Sequence, residues 1–175
     1  LALLKKSNIP AKSIGELTGF PEILEGRVKT LHPKVHGGLL FLRSSKKQGR
    51  EAKKYGIVPV DLLVVNLYPF RDTIQKSGVR LKEAVEQIDI GGPAMLRSAA
   101  KNFESVAAVS DPSDYPAVIE ELKKNKGSLS HELRQRLAVR VFCHTSTYDR
   151  EIARYLSARF EPSTDELPAT FDDVF

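Results

Sequence analysis

The run VDLLVVNL, from Val60 to Leu67, constrains the fold more than any other part of the chain. It is almost continuously apolar, rich in β-branched residues, too short for a helix and closed by Pro69, so it predicts a strand buried on both faces of a parallel sheet. SVAAVS, Ser105 to Ser110, predicts a second such strand. Between and around them, apolar positions recur at helical spacing over about 33–43, 46–55, 80–88 and 93–101, and over 113–125 behind the capping sequence DPSD. Strands alternating with helices mean an α/β fold.

The amino-terminal stretch predicts a helical piece from Leu1 to Lys6, a turn at Pro10 and a short strand from Ile14 to Leu17. From Leu129 onward, apolar residues fall at 133, 137, 141, 148, 152 and 156, while Arg134, Arg136, Arg140, Arg150 and Arg154 take other faces. That is one long amphipathic helix or two joined ones, whose stripe covers the sheet or meets a second subunit. After Phe160 the sequence EPSTDELPATFDDVF is acidic and aperiodic and reads as a linker over residues 161–175. With 175 residues and 41% hydrophobic content, one core and one domain over residues 1–160 are expected.

Composition removes several classes of function. The net charge of +5 comes from scattered short clusters, there is no Trp, and aromatics make up 7%, so the basic stripe with interleaved aromatics of a nucleic-acid binder is missing. No stretch reaches the roughly 18 apolar residues of a membrane helix. The single cysteine, Cys143, cannot form an internal disulfide, which suits a reducing, cytoplasmic compartment. Lying inside a helical pattern, it is expected to be a small core residue.

Three motifs carry chemistry. EGRVKTLHPKVHGG places Arg27, Lys29 and Thr30 within four residues: a planar fork, a point charge and a hydroxyl, suited to a phosphate or a developing oxyanion, or forming an ordinary basic loop. His32 and His36 have the i, i+4 spacing of helical metal pairs, but no carboxylate accompanies them and Lys34 adds repulsion, so no metal site is expected. NLYPF sets Asn66 and Tyr68 at the carboxyl end of the first strand, where α/β sheets bind ligands, although a tyrosine there can equally pack on a neighbouring helix.

The third motif, QIDIGGPAMLRSAAKN, puts Asp89 before Gly91, Gly92 and Pro93, which open a helix ending near Lys101. The glycines allow close approach to the backbone. Asp89 is either a functional carboxylate or the helix cap, and Lys101 either a functional cation or the complement of the helix carboxyl end. A straight helix would hold the two up to about 18 Å apart at 1.5 Å per residue, so serving one ligand requires a folded-back turn or a second chain.

Taken in order, GRVKTLHPKVHGG, NLYPF, IDIGGPAMLRSAAKN and HTSTYD closely resemble the IMP cyclohydrolase domain of the bifunctional purine-biosynthesis proteins that also carry AICAR transformylase. The resemblance covers nearly the whole chain. It implies a methylglyoxal-synthase-like fold, a three-layer α/β domain with a mostly parallel central sheet, and closure of 5-formamidoimidazole-4-carboxamide ribotide to inosine monophosphate with loss of water. It implies no cofactor and no metal, and a homodimer in the full-length protein. Carried over by motif, Lys29, Tyr68, Asp89 and Lys101 are the implied catalytic group, and Arg27, Val28, Lys29, Thr30, Asn66, Asp89 and Ile90 the implied substrate contacts. The family's two leading strand segments, whose loops hold the phosphate, have no match here, nor does the transformylase domain, so the resemblance implies an amino-terminally truncated domain with weakened nucleotide binding. The alternative from another class is a non-catalytic domain of the same fold that binds a phosphorylated effector.

Overall fold

A computed structural model describes residues 2–160; the expected linker at 161–175 lies outside the described residues. The order is α1 (Ala2–Lys6), α2 (Ile14–Thr18), a 3-10 turn (Leu24–Gly26), α3 (Pro33–Leu40), α4 (Lys46–Lys54), β1 (Leu62–Val64), α5 (Phe70–Ile74) and α6 (Leu81–Glu86). There follow α7 (Gly91–Lys101), β2 (Ala107–Val109), a 3-10 turn (Pro112–Asp114), α8 (Tyr115–Lys124) and α9 (His131–Phe160).

β1 and β2 pair in parallel with Leu62 opposite Ala107 and Val64 opposite Val109. The alternation of β2 side chains builds the three layers. Val106 and Ala108 pack with Val35 and Leu39 of α3 and Leu96, Ala99 and Ala100 of α7. Ala107 and Val109 face the opposite way, onto Val118 of α8 and Leu133 and Leu137 of α9. Helix α9 also sends Ala138 and Val141 into the first cluster, so one helix ties both faces of the sheet together. The expected stripe of α9 is buried at Leu133, Leu137, Val141 and Tyr148 along a single 30-residue helix.

Three expectations need correction. The segment from Ile14 is α2, not a strand: Ser13 Oγ accepts from the Glu16 N–H at 3.2 Å while the Glu16 carboxylate accepts from the Ser13 N–H at 2.6 Å, a reciprocal capping box that starts a helix. The strand buried on both faces is β2, whereas β1 has only β2 as a partner among the described residues and Val64 is 48% exposed. A strand is covered only where neighbours pack on it, and a continuous apolar run does not report how many there are. Cys143 is exposed, because it falls off the buried stripe of α9 that Val141 and Thr145 occupy.

Candidate functional site

The site residues singled out in the sequence, apart from Val28 and Lys101, converge on a cavity of about 390 Å³ beside the carboxyl end of β1. Arg27, Lys29 and Thr30 line it from the loop before α3; Asn66 and Tyr68 from the loop after β1; Asp89, Ile90, Gly91 and Gly92 from the turn into α7. Each of these elements is either a loop leaving a strand or the start of a helix, where backbone N–H groups lack intrahelical partners.

The approach to α3 is tightly turned, with Leu24, Glu25 and Gly26 all at positive φ (53°, 55° and 84°). The turn presents Arg27 and Lys29, and each meets a carboxylate. Arg27 pairs with Glu86, the last residue of α6, and Lys29 Nζ lies 3.7 Å from Glu22. His32 and His36 are also accounted for. His32 caps α3 by accepting from the Lys34 N–H at 3.1 Å, and His36 Nδ1 sits 2.9 Å from Ser98 Oγ on α7.

At the turn into α7, the paired glycines are required by contact. A methyl group on Gly91 would stand 2.4 Å from Thr30 Oγ1, and one on Gly92 would stand 2.4 Å from Asp89 Oδ2 and 2.8 Å from Leu67 Cδ2. The absent side chains thus let Thr30 and Asp89 press against the start of the helix. Asp89 Oδ1 accepts from the Gly92 N–H at 2.8 Å, so the carboxylate does cap the helix. Its neighbour Ile90 is 60% exposed.

Asn66 and Tyr68 leave β1 as expected. The Asn66 amide exchanges long hydrogen bonds with Tyr115 Oη, at 3.3 and 3.4 Å. Tyr68 is 53% exposed and borders both this cavity and a neighbouring one of about 460 Å³ that continues past Ser110 at the end of β2. Val28, which the resemblance also implied, is exposed and does not line the cavity.

Lys101 lies farther away. It closes α7 at the opposite end from Asp89, complementing the helix carboxyl terminus, and lines a separate cavity of about 740 Å³ with Leu40, Arg97 and Phe142. Within one chain, Lys101 and Asp89 do not share a cavity.

Two participants escaped the sequence reading. Glu86 carries the ion pair to Arg27, and nothing in its helical context marks it. Tyr148 on α9 accepts a hydrogen bond from the Asp89 backbone N–H at 2.8 Å and donates one to the Gln87 carbonyl at 2.9 Å. Burial pushes its phenol above the ordinary 10.0, only partly offset by the bond from Asp89, so it stays neutral and able to donate. The motif HTSTYD was its one available signal.

Comparison with known proteins identifies the family. The family model described as MGS-like domain matches residues 1–94, and that described as AICARFT/IMPCHase bienzyme matches residues 99–174. The bifunctional purine biosynthesis protein PurH of Magnetococcus marinus is 52% identical over 156 residues, 89% of this chain and 29% of its own length. PurH of Acetivibrio thermocellus is 50% identical over 172 residues, 98% of this chain and 33% of its own length. The chain therefore spans about a third of the curated relatives it matches. A solved structure, the crystal structure of ForH, superposes with a TM-score of 0.79 at 38% identity, covering 90% of this chain and 80% of that one.

Proposed function

Since the chain belongs to the MGS-like domain family, we propose that it is the IMP cyclohydrolase part of a bifunctional purine-biosynthesis enzyme, closing 5-formamidoimidazole-4-carboxamide ribotide to inosine monophosphate. The observation that carries this reading is the single cavity shared by Arg27, Lys29 and Thr30 on one wall and Asn66, Tyr68 and Asp89 on the other. It offers cations and a hydroxyl to a phosphorylated ligand, and an amide, a phenol and a carboxylate to a base carrying carboxamide and formamido groups.

In the reaction, the carboxamide nitrogen attacks the formyl carbon. That nitrogen and the formamido nitrogen each give up one proton, and the formyl oxygen departs as water. A carboxamide is a weak nucleophile, so the rate must come from positioning and from stabilising the oxygen as it gains charge. Lys29 faces that oxygen, Asp89 orients the carboxamide through the carboxylate oxygen not bound to Gly92, and Tyr68 relays protons. Lys101, about 18 Å along α7 at 1.5 Å per residue, enters this chemistry only if a second copy of the chain delivers it, in keeping with a homodimer. The exposed thiol of Cys143 accords with a reducing, cytoplasmic compartment.

Incubating the chain with the formylated ribotide and following the purine chromophore tests the reading. Product formation supports it. Nucleotide binding with no turnover overturns it and leaves an effector-binding domain.

A further inference from the structure

The loop carrying Asp89 is short, running from the end of α6 at Glu86 to the start of α7 at Gly91, and its backbone is held from outside. Tyr148 does the holding. Its hydroxyl accepts from the Asp89 N–H and donates to the Gln87 carbonyl, bridging two residues of one turn with a single oxygen. The Tyr148 ring is 7% exposed and meets the Phe70 ring edge-on, with centroids 6.2 Å apart and planes at 68°. Phe70 is 1% exposed and opens α5 directly behind Asn66, Tyr68 and Pro69. One side chain of the long helix α9 thus touches the Asp89 loop and the first residue of the helix that follows the Asn66–Tyr68 loop, and both loops line the cavity.

From this geometry we infer that Tyr148 is a positioning residue for the ring closure, fixing the Asp89 carboxylate against the start of α7 and setting its distance from the Asn66–Tyr68 loop. The inference rests on the cyclohydrolase reading above. The path is short and physical. The hydroxyl fixes the Asp89 amide; the amide fixes the carbon from which the carboxylate projects; and the carboxylate is aimed by its own bond from the Gly92 N–H at 2.8 Å. Without the hydroxyl, the half-buried Asp89 N–H and Gln87 carbonyl lose their partner, and the turn relaxes to find others. A displacement of a fraction of an ångström suffices, since alignment of reacting groups dominates the rate of a weak nucleophile. Tyr148 touches no substrate in this arrangement and moves no proton.

The test is Tyr148→Phe, which keeps the ring on Phe70 and removes only the oxygen. Hydrogen exchange at the Asp89 amide, which requires no activity, should become about tenfold faster or more, as expected when one backbone hydrogen bond is lost locally. In turnover of the formylated ribotide, kcat should fall about tenfold with KM changing less than about twofold. The double variant Tyr148→Phe/Asp89→Asn should lose no more than Asp89→Asn alone, because both changes act through one carboxylate. Unchanged exchange overturns the inference, as does a double variant whose losses multiply, or a lowered melting temperature with kcat untouched. If the unaltered chain neither binds nucleotide nor turns over, the cyclohydrolase reading falls and the positioning role falls with it, while the exchange result still reports whether Tyr148 holds the turn.

Discussion

Arg27 and Glu86 form an ion pair across the cavity that both line, one from the turn before α3 and the other from the end of α6. The carboxylate occupies part of the guanidinium fork that an incoming phosphate would use and adds negative charge beside it. Both side chains are largely exposed, so the pair contributes at most about 1 kcal/mol. Glu86→Gln should therefore tighten inosine monophosphate binding about two- to fivefold, the binding equivalent of that energy, and the gain should shrink at high salt. Titration calorimetry on both proteins decides. Weaker binding in the variant would mean that Glu86 orients Arg27 for the ligand.

Lys29 stabilises the oxygen that gains charge in the proposed reaction. Lys29→Ala should lower kcat about 10²-fold, the usual consequence of losing one preorganised donor to an oxyanion. A loss confined to KM would show that Lys29 binds ground state and transition state alike, and would remove it from that role.

Much of this site was legible in the sequence because its parts come as short contiguous units. Arg27, Lys29 and Thr30 sit within four residues, and Asp89 stands beside the glycines that admit it, so local spacing predicted their grouping. The fold class was legible for the same reason, since β2 and the stripe of α9 declare burial by pattern. What sequence could not show depends on distant packing. Tyr148 lies 59 residues from Asp89, and Glu86 lies 59 from Arg27. The exposure of β1 depends on which strands flank it, which no property of its own residues encodes. Ser13 and Glu16 stand at capping-box spacing, a local signal that outweighs the short strand expected from Ile14 to Leu17. Lys101 shows the reverse: a motif placed it with the others, and the straightness of α7 sets it apart.

Gly92 tests the packing argument. Alanine is the better helix former by up to about 1 kcal/mol, so propensity alone predicts that Gly92→Ala stabilises the start of α7. The new methyl would stand 2.4 Å from Asp89 Oδ2 and 2.8 Å from Leu67 Cδ2, and overpacking of that kind costs about 1–3 kcal/mol. The clash should win, lowering the urea midpoint and pushing the Asp89 carboxylate off the Gly92 N–H. A variant more stable than the parent would show that both neighbours yield freely and that the glycine is not needed for contact.

His36 makes stability depend on pH in a defined window. Ser98 Oγ donates to the Ala94 carbonyl at 2.8 Å, so the hydroxyl must accept from His36 Nδ1–H, which leaves Nε2 as the unprotonated nitrogen. That Nε2 is buried and has no hydrogen-bond partner among the described residues, and burial holds the imidazole below its ordinary value of 6.5. Charging it would put a proton where none of the described residues offers an acceptor. Because the folded value lies below the unfolded one, the unfolded chain binds more protons between the two, and stability must fall as pH drops from about 6.5 towards the folded value. Above that window His36 contributes no slope. The lowered carboxylates Glu16, Glu83, Asp111 and Glu121 act only below their ordinary values of 4.5 or 3.8, so they leave this range clear. Urea unfolding from about pH 7.5 to about pH 5.5 should show the midpoint declining on the acid side, and His36→Gln, which cannot take up a proton, should flatten that decline. An equal slope in the variant would assign the dependence to another histidine and return His36 to a plain packing role between α3 and α7.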